Sequence, residues 1–567
     1  MMQPLGFITR TPWVTGCFFL LLALIAYGNA IHHPFVHDDV VFILNNPHIR
    51  DLSPASVFQP KIIEGPAAGL INVYYRPLIE LYYRLVFAVF GSNAWGFHLI
   101  NILLHGMNGF LLYRLLGRAR LLPPEGALFV AVLFVVHPVQ TEAVACISGI
   151  SNLLLLTVIL GCFLCYLRGR EPDGGGALAV SVGLLLTGCL IKEQMIVLPV
   201  VILLFEALNL SGGQRRWGKC LTLFGALAVY FLLRRALLGM AVTGIFDPRG
   251  EYLLRFLAIP RSLLTYLQII LWPAGLHYYR SLDVLQTNTW AWAVTAVLLV
   301  IVTAVIRRMP PEPRRVMLFG TGWFMITLLP MLNIVPLVNE YSTILNFEHF
   351  LYIPMIGLLT SLTMFVRERG AAAAKLFPAV AVGLVLLSVP LTWRQNTYWR
   401  SETALFTRTL RFQESGRVRM LLGKALYFQG DYPAAINEYH KALAIMKDYA
   451  GKTPLPAVRE FYRGFIKGIY FDLAHCYEAL QNPDTAITMY DQALAIDPRD
   501  IVLYNNLAVV YIKEKNFTAA AGLLEKALGL DPASPLTMQN LAYCYVQLGR
   551  RAEADALFRS ERVSDYE

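Results

Sequence analysis

CFFLLLALIAY, residues 17–27, and FVHDDVVFILNNPHIR, residues 35–50, decide the class of fold. The first carries no charge and, with its flanks, is long enough to cross a hydrocarbon core of ~30 Å as a helix. The second sets two adjacent carboxylates, Asp38 and Asp39, just beyond that span. Such a pair is either the polar cap of a helix or the chemistry of a site at a membrane face.

The rest of the chain repeats the apolar pattern. Its 567 residues are 56% hydrophobic and 15% charged, whereas soluble proteins are about a quarter charged. Windows of spanning length recur near 12–31, 94–117, 124–141, 148–167, 176–192, 195–210, 217–239, 289–306, 316–335, 349–366 and 376–393. The first window is expected to stay as an uncleaved helix, because a cleavable signal ordinarily precedes a soluble chain. The net charge is +10, but the arginines cluster between apolar runs, as in RLLGRAR at 114–120 and RRMPPEPRR at 307–315. That is topology-setting charge rather than a nucleic-acid surface, and no nucleic-acid partner is expected.

A further apolar stretch at 252–276 contains Arg255, Pro260 and Arg261, which are costly at mid-bilayer depth; it is expected to be interfacial or re-entrant. Eleven crossings then place every basic loop on the cytoplasmic side and the C-terminus outside. Eight cysteines are present, six of them in or beside apolar runs, and no disulfide framework is expected. Cys162 and Cys165 have CxxC spacing but lack further ligands nearby, so helix packing is the preferred reading.

From residue 416 the pattern becomes charged, amphipathic and repetitive. Leu473-Ala474, Tyr477 and Ala486 recur as Leu507-Ala508, Tyr511 and Ala520, then as Leu541-Ala542, Tyr545 and Ala554. The spacing of 34 residues is the tetratricopeptide period. An earlier unit at 416–445 is offset by half a repeat, which predicts a lengthened helix or loop near 446–462. The expected fold is all-α: a polytopic helical membrane domain of about 11 spans over 1–394 with a large outer loop at 32–93, a linker at 395–415, and a tetratricopeptide superhelix over 416–567.

In this topology the polar clusters gather on the outer face. They are His37, Asp38 and Asp39; Arg76 with Glu80; His137 and Glu142; Lys192 and Glu193; the loop His277–Asp283 with Arg280; and Glu348 with His349. Taken singly each has a structural reading: a helix terminus at His137, snorkelling at Lys192 and Arg280, an i,i+4 pair between Glu80 and Arg84. Together, ionisable groups at membrane depth point to function.

The ordered set FVHDDVVFILNNPHI, YYRPLIELYYRL, HPVQTEAVACISGISNLL, LIKEQMIVLPVVILLFE and FEHFLYIPMIG, followed by tetratricopeptide units, resembles the transmembrane and tetratricopeptide repeat-containing O-mannosyltransferase-like proteins and their bacterial relatives, of the GT-C class. The resemblance implies a glycosyltransferase that takes a sugar, mannose in the family, from a polyprenyl-phosphate carrier. The acceptor would be a protein Ser/Thr hydroxyl on the outer face of the inner (cytoplasmic) membrane. It implies Asp38 as the catalytic base with Asp39 as the alternate. Arg76, His137, Glu142, Lys192, Glu193, Arg280, Glu348 and His349 would bind the donor phosphate or substrate. One position departs from the family: this chain reads Glu348-His349 where Glu-Arg is common, and a histidine holds phosphate only when protonated or as a hydrogen-bond donor.

No cofactor or metal is assigned. A divalent cation held by His37, Asp38, Asp39 and His48 is the alternative to a metal-free design. The expected partners are the lipid-linked sugar donor, a protein or peptide acceptor presented by the repeats, and membrane lipid. The competing functions are a non-catalytic membrane scaffold whose repeats recruit envelope proteins, and a transporter; the large outer loop argues against transport.

Overall fold

The computed structural model describes residues 11–59, 61–64, 71–238, 251–283, 289–332, 343–453 and 456–564. The chain divides into two compact units, one holding Met1–Ile63 and Ile71–Phe412, the other Gln413–Glu567.

The first unit is helical because lipid offers no partner for backbone amides, which must pair within each span. Its elements run α1 (Pro12–Tyr27), strands β1 (Lys61–Glu64) and β2 (Ile71–Tyr74), α2 (Pro77–Phe90), α3 (Ala94–Arg118), α4 (Pro124–Val136), α5 (Ile150–Gly169), α6 (Gly175–Ile191), α7 (Leu198–Ala207) and α8 (Trp217–Leu238). They continue with α9 (Glu251–Leu271), β3 (Ser281–Asp283), α10 (Thr289–Arg308), α11 (Pro311–Leu328), β4 (Thr343–Leu345), α12 (Pro354–Arg367), α13 (Ala371–Asn396) and α14 (Glu402–Leu410).

Among the described residues seven helices are long and apolar enough to span a membrane, or eight if the bent pair Pro124–Val136 and Pro138–Ala145 counts as one. Eleven windows therefore do not translate into eleven spanning helices. Window 195–210 is split, since Glu193–Val197 forms a 3-10 turn and leaves only ten residues in α7. Window 349–366 likewise begins as a 3-10 turn, and Pro354 opens a helix of 14 residues. The 50° bend falls at His137-Pro138, where proline disfavours helix in the residue before it. The 252–276 stretch forms α9, which is outside the spanning set.

Small residues let helices approach closely. Gly357 lies against the backbone of Gly320, and Ser361 Oγ donates to Met317 O at 3.0 Å, tying α11 to α12. Cys162 Sγ and Ser181 Oγ are 3.3 Å apart between α5 and α6. The CxxC cysteine thus takes part in helix packing, and all eight cysteines are free.

The second unit is a run of helix pairs: α15 (Gly416–Phe428) with α16 (Tyr432–Lys452), α17 (Pro456–Ala479) with α18 (Pro483–Ile496), α19 (Ile501–Lys513) with α20 (Phe517–Leu530), and α21 (Pro535–Gln547) with α22 (Arg551–Ser564). The repeat alanines Ala474, Ala486, Ala508, Ala520, Ala542 and Ala554 are all buried. The offset before the second unit is taken up by helix length: α16 has 21 residues and α17 has 24, against 13 or 14 in later units. Residues 395–415, expected as a linker, contain α14. Ala508→Trp is expected to overpack the α19–α20 contact and destabilise the repeats by about 1–3 kcal/mol. An unaltered thermal transition of the full-length variant would contradict the register.

Candidate active site

Asp38 and Asp39 are neighbours in sequence and opposites in environment. Asp39 is 1% exposed. Its Oδ1 accepts from the Ser148 amide at 2.7 Å, and its Oδ2 accepts from Val36 N at 3.2 Å and Ile147 N at 3.4 Å. The donating turn, Ile147–Gly149, is held in turn by Asn101 of α3, whose amide donates to Cys146 O at 3.1 Å and Ile147 O at 3.3 Å. Asp39 therefore fastens the loop after α1 to the start of α5.

The Asp38 side chain is 53% exposed. The preceding residue, His37, adopts φ +55°, a left-handed conformation that costs a non-glycine residue about 1 kcal/mol or more and persists only where surroundings impose it. Three contacts impose it here. His37 N–H donates to Glu402 Oε1 of α14 at 3.0 Å, and the ring Nε2 lies 2.8 Å from the Tyr278 hydroxyl and 3.4 Å from Asp38 Oδ1. The turn sends one carboxylate inward and the other to solvent.

Tyr278 leads to the remaining polar groups. Its ring packs against Phe347, which stacks on His349. Strands β3 and β4 pair antiparallel, Ser281 opposite Leu345, and Asn346 N–H donates to Arg280 O at 2.7 Å. This ribbon brings Arg280 alongside Glu348, with Nη2 at 4.0 Å from Oε1. Glu348 also accepts from His277 N at 2.6 Å. Burial, reinforced by nearby Glu142, pushes the Glu348 carboxyl well above the usual range. Arg280 Nε is buried without a hydrogen-bond partner among the described residues, the kind of orphaned donor that native proteins seldom leave unless something binds there. Glu142 receives the His349 amide at 3.0 Å and faces its Nδ1 at 2.8 Å.

A second cationic group sits at the end of α6. Lys192 is 7% exposed and donates to Asn152 Oδ1 at 2.6 Å; among the described residues no carboxylate pairs with it. Burial, and then the neighbouring Arg76, pull its pKa down to about 7. Arg76 donates to Glu193 Oε2 from Nη2 at 3.0 Å and from Nε at 3.2 Å. Glu142 is within electrostatic reach of both Lys192 and Arg280. Beside this group lies a cavity of about 520 Å³ lined by Asn46, His48, Arg76, Tyr83, Ser148 and Ser151. Glu80, which also lines it, forms the i,i+4 pair with Arg84 at 2.7 Å.

His137 is the expected site residue with a different placement. Its Nδ1 accepts from Val139 N at 3.2 Å and its Nε2 lies 3.1 Å from Ile270 O, so both ring nitrogens are occupied in holding the bend to α9. Sequence reasoning did not single out Tyr278, Asn152 or Glu402 for a role; only the first two lie in segments that drew notice. Among the described residues no three His, Cys, Asp or Glu side chains gather as a metal site would require.

The Asp39 carboxyl is raised from 3.8 to about 6, chiefly by burial, with the Ser148 and Val36 amides pulling the other way. A carboxyl with a higher pKa in the folded state binds its proton more tightly there. It stabilises the fold at low pH, and that contribution is lost as pH rises through about 6. The scale is about 3 kcal/mol, from 1.36 kcal/mol per pKa unit. Thermal unfolding of the solubilised protein should show this fall, and Asp39→Asn should remove it.

Comparison with known proteins finds likenesses in both units. A family model described as dolichyl-phosphate-mannose-protein mannosyltransferase matches residues 76–239, and tetratricopeptide models match 467–510 and 511–560. A protein O-mannosyl-transferase of Caenorhabditis elegans is 22% identical over 76% of this chain and 62% of its own length. The human protein O-mannosyl-transferase TMTC4 is 26% identical over 74% of this chain and 64% of its own. Human TMTC1 reaches 33% identity over 34% of this chain and 23% of its own. The chain thus spans less than two thirds of the length of these relatives. With mannosyltransferase-like membrane helices followed by tetratricopeptide pairs, it resembles the transmembrane and tetratricopeptide repeat-containing O-mannosyltransferase-like proteins.

Proposed function

We propose that this chain is a membrane glycosyltransferase of the GT-C type that moves a sugar, mannose by analogy with its relatives, from a polyprenyl-phosphate carrier to a Ser or Thr hydroxyl of a protein. The site and the repeats face the periplasmic side of the inner membrane. The observation that carries this reading is the solvent-facing Asp38 held on an imposed left-handed turn, in the same assembly as the half-buried Arg280 and the buried Lys192.

Asp38 accepts the proton of the acceptor hydroxyl as its oxygen bonds to the sugar C1. The bond from C1 to the phosphate oxygen breaks, and its electron pair leaves on the polyprenyl phosphate. Asp39 positions Asp38 without touching substrate. Lys192, Arg76 and Arg280 balance the charge of the departing phosphate, since charge-assisted hydrogen bonds are the strong ones. Arg280, with its unpartnered Nε, takes the part that the usual family arginine would play, because His349 is bound to Glu142. Glu142, Glu193 and Glu348 hold these cations and His349 in place. The reading needs no metal.

The repeats present the acceptor, as stacked helix pairs form a concave surface. The reading is tested by reconstituting the protein in liposomes with polyprenyl-phosphate mannose and a panel of envelope proteins. Labelled sugar should enter protein from the lipid-linked donor and not from a sugar nucleotide. Recruitment of envelope proteins without sugar transfer would support the scaffold instead.

A further inference from the structure

At the end of the helical bundle away from Asp38 lies a second cavity, of about 820 Å³. It opens among the first residues of α1 and α4, Pro12 and Pro124, and the last turns of α3 and α5, which carry Arg114, Arg118 and Arg168. Its wall is apolar where it runs toward the bundle, through Phe110, Leu111 and Leu164. Three of these helices, α1, α3 and α5, are spanning segments and α4 is the first half of the bent pair, so the cavity sits at the level where hydrocarbon meets headgroups.

Its charge is unevenly committed. Arg118 and Arg168 share Glu171, and Arg168 also reaches Asp173 at 3.2 Å. Arg114 has no ion pair among the described residues; Phe110 lies under its guanidinium with the ring centre at 5.8 Å. Neither α1 nor α4 has a side-chain cap hydrogen bond at its start, so two positive helix ends also border the cavity. An anion held here meets arginine and helix amides, and a chain attached to that anion meets apolar wall.

The geometry points to a structural site for an anionic glycerophospholipid, with the headgroup phosphate on Arg114 and the acyl chains along Phe110, Leu111 and Leu164. Arginine suits phosphate through paired, planar donors, and basic pockets between spanning helices favour acidic headgroups. The site lies a full helix length, ~24 Å for the 16 residues of α1, from the Asp38 loop, so it is separate from the proposed transfer.

The full-length protein, purified in detergent and stripped of lipid, is titrated with phosphatidylglycerol, phosphatidylcholine or inorganic phosphate, and binding is read by native mass spectrometry and the shift in thermal midpoint. Phosphatidylglycerol should bind one to one and raise the midpoint, while the other two should not. Arg114→Gln should weaken phosphatidylglycerol about tenfold, and Leu164→Trp, which fills the cavity, should weaken it without altering charge. Equal binding of the two lipids overturns the proposal, as does a shift reproduced by phosphate alone. Unchanged binding in a folded Arg114→Gln or Leu164→Trp variant would do the same. If Arg114→Gln fails to fold, the lipid comparison and the Leu164 variant decide.

Discussion

Asp38→Asn is expected to lower sugar transfer by roughly 100-fold or more, the scale of a lost general base, while the thermal midpoint stays within about a degree or two of wild type. The asparagine keeps size and shape and removes only basicity. The side chain is half in solvent and anchors nothing but the contact with His37, so surface-like tolerance of the substitution follows. Donor binding should hold or tighten, because one negative charge has gone. Asp39→Asn should behave in the reverse sense, with lower stability and a smaller direct effect on the chemical step. Its oxygens accept three backbone amides, and an amide nitrogen in place of one oxygen meets a donor with a donor. If the Asp38 variant transfers sugar at near wild-type rates, the proposed mechanism fails; if only the Asp39 variant loses turnover while folded, the base is Asp39.

Lys192→Met should weaken the lipid-linked donor by roughly 10- to 100-fold, the value of a hydrogen bond to a charged group. Methionine nearly fills the space and leaves Asn152 to rearrange. The pH profile separates binding from packing. With its pKa drawn down to about 7, Lys192 is charged below that pH and neutral above it, and the phosphodiester keeps its single charge throughout. Donor affinity of the wild type should therefore fall as pH rises through 7, and the methionine variant should bind weakly at every pH with that dependence gone. A profile that persists in Lys192→Met would assign the titration to another group.

The membrane helices and the repeats were legible because each rests on a local, periodic signal. Apolar length and the 34-residue return of Leu-Ala, Tyr and Ala need no knowledge of distant partners. The number of spans was less legible, because windows of hydropathy do not register that Glu193–Val197 and Glu348–Leu351 turn as 3-10 segments and shorten the helices after them. The acidic pair was found as a pair. Its division into an inward and an outward member depends on the left-handed turn at His37, and histidine carries no mark of that conformation as glycine would. His137 enters the candidate set through its polar cluster and the family resemblance; only the positions of Val139 N and Ile270 O reveal both nitrogens as occupied.

The hydrogen bond from His37 to Glu402 joins residues 365 positions apart. On a ribosome adding about 5–20 residues per second, the carboxylate that completes the turn arrives roughly 20–70 s after the turn itself. Throughout that interval the His37 amide lacks the carboxylate that it meets in the folded chain. On the proposed mechanism, Asp38 therefore takes its direction only after nearly all of the first unit has been made.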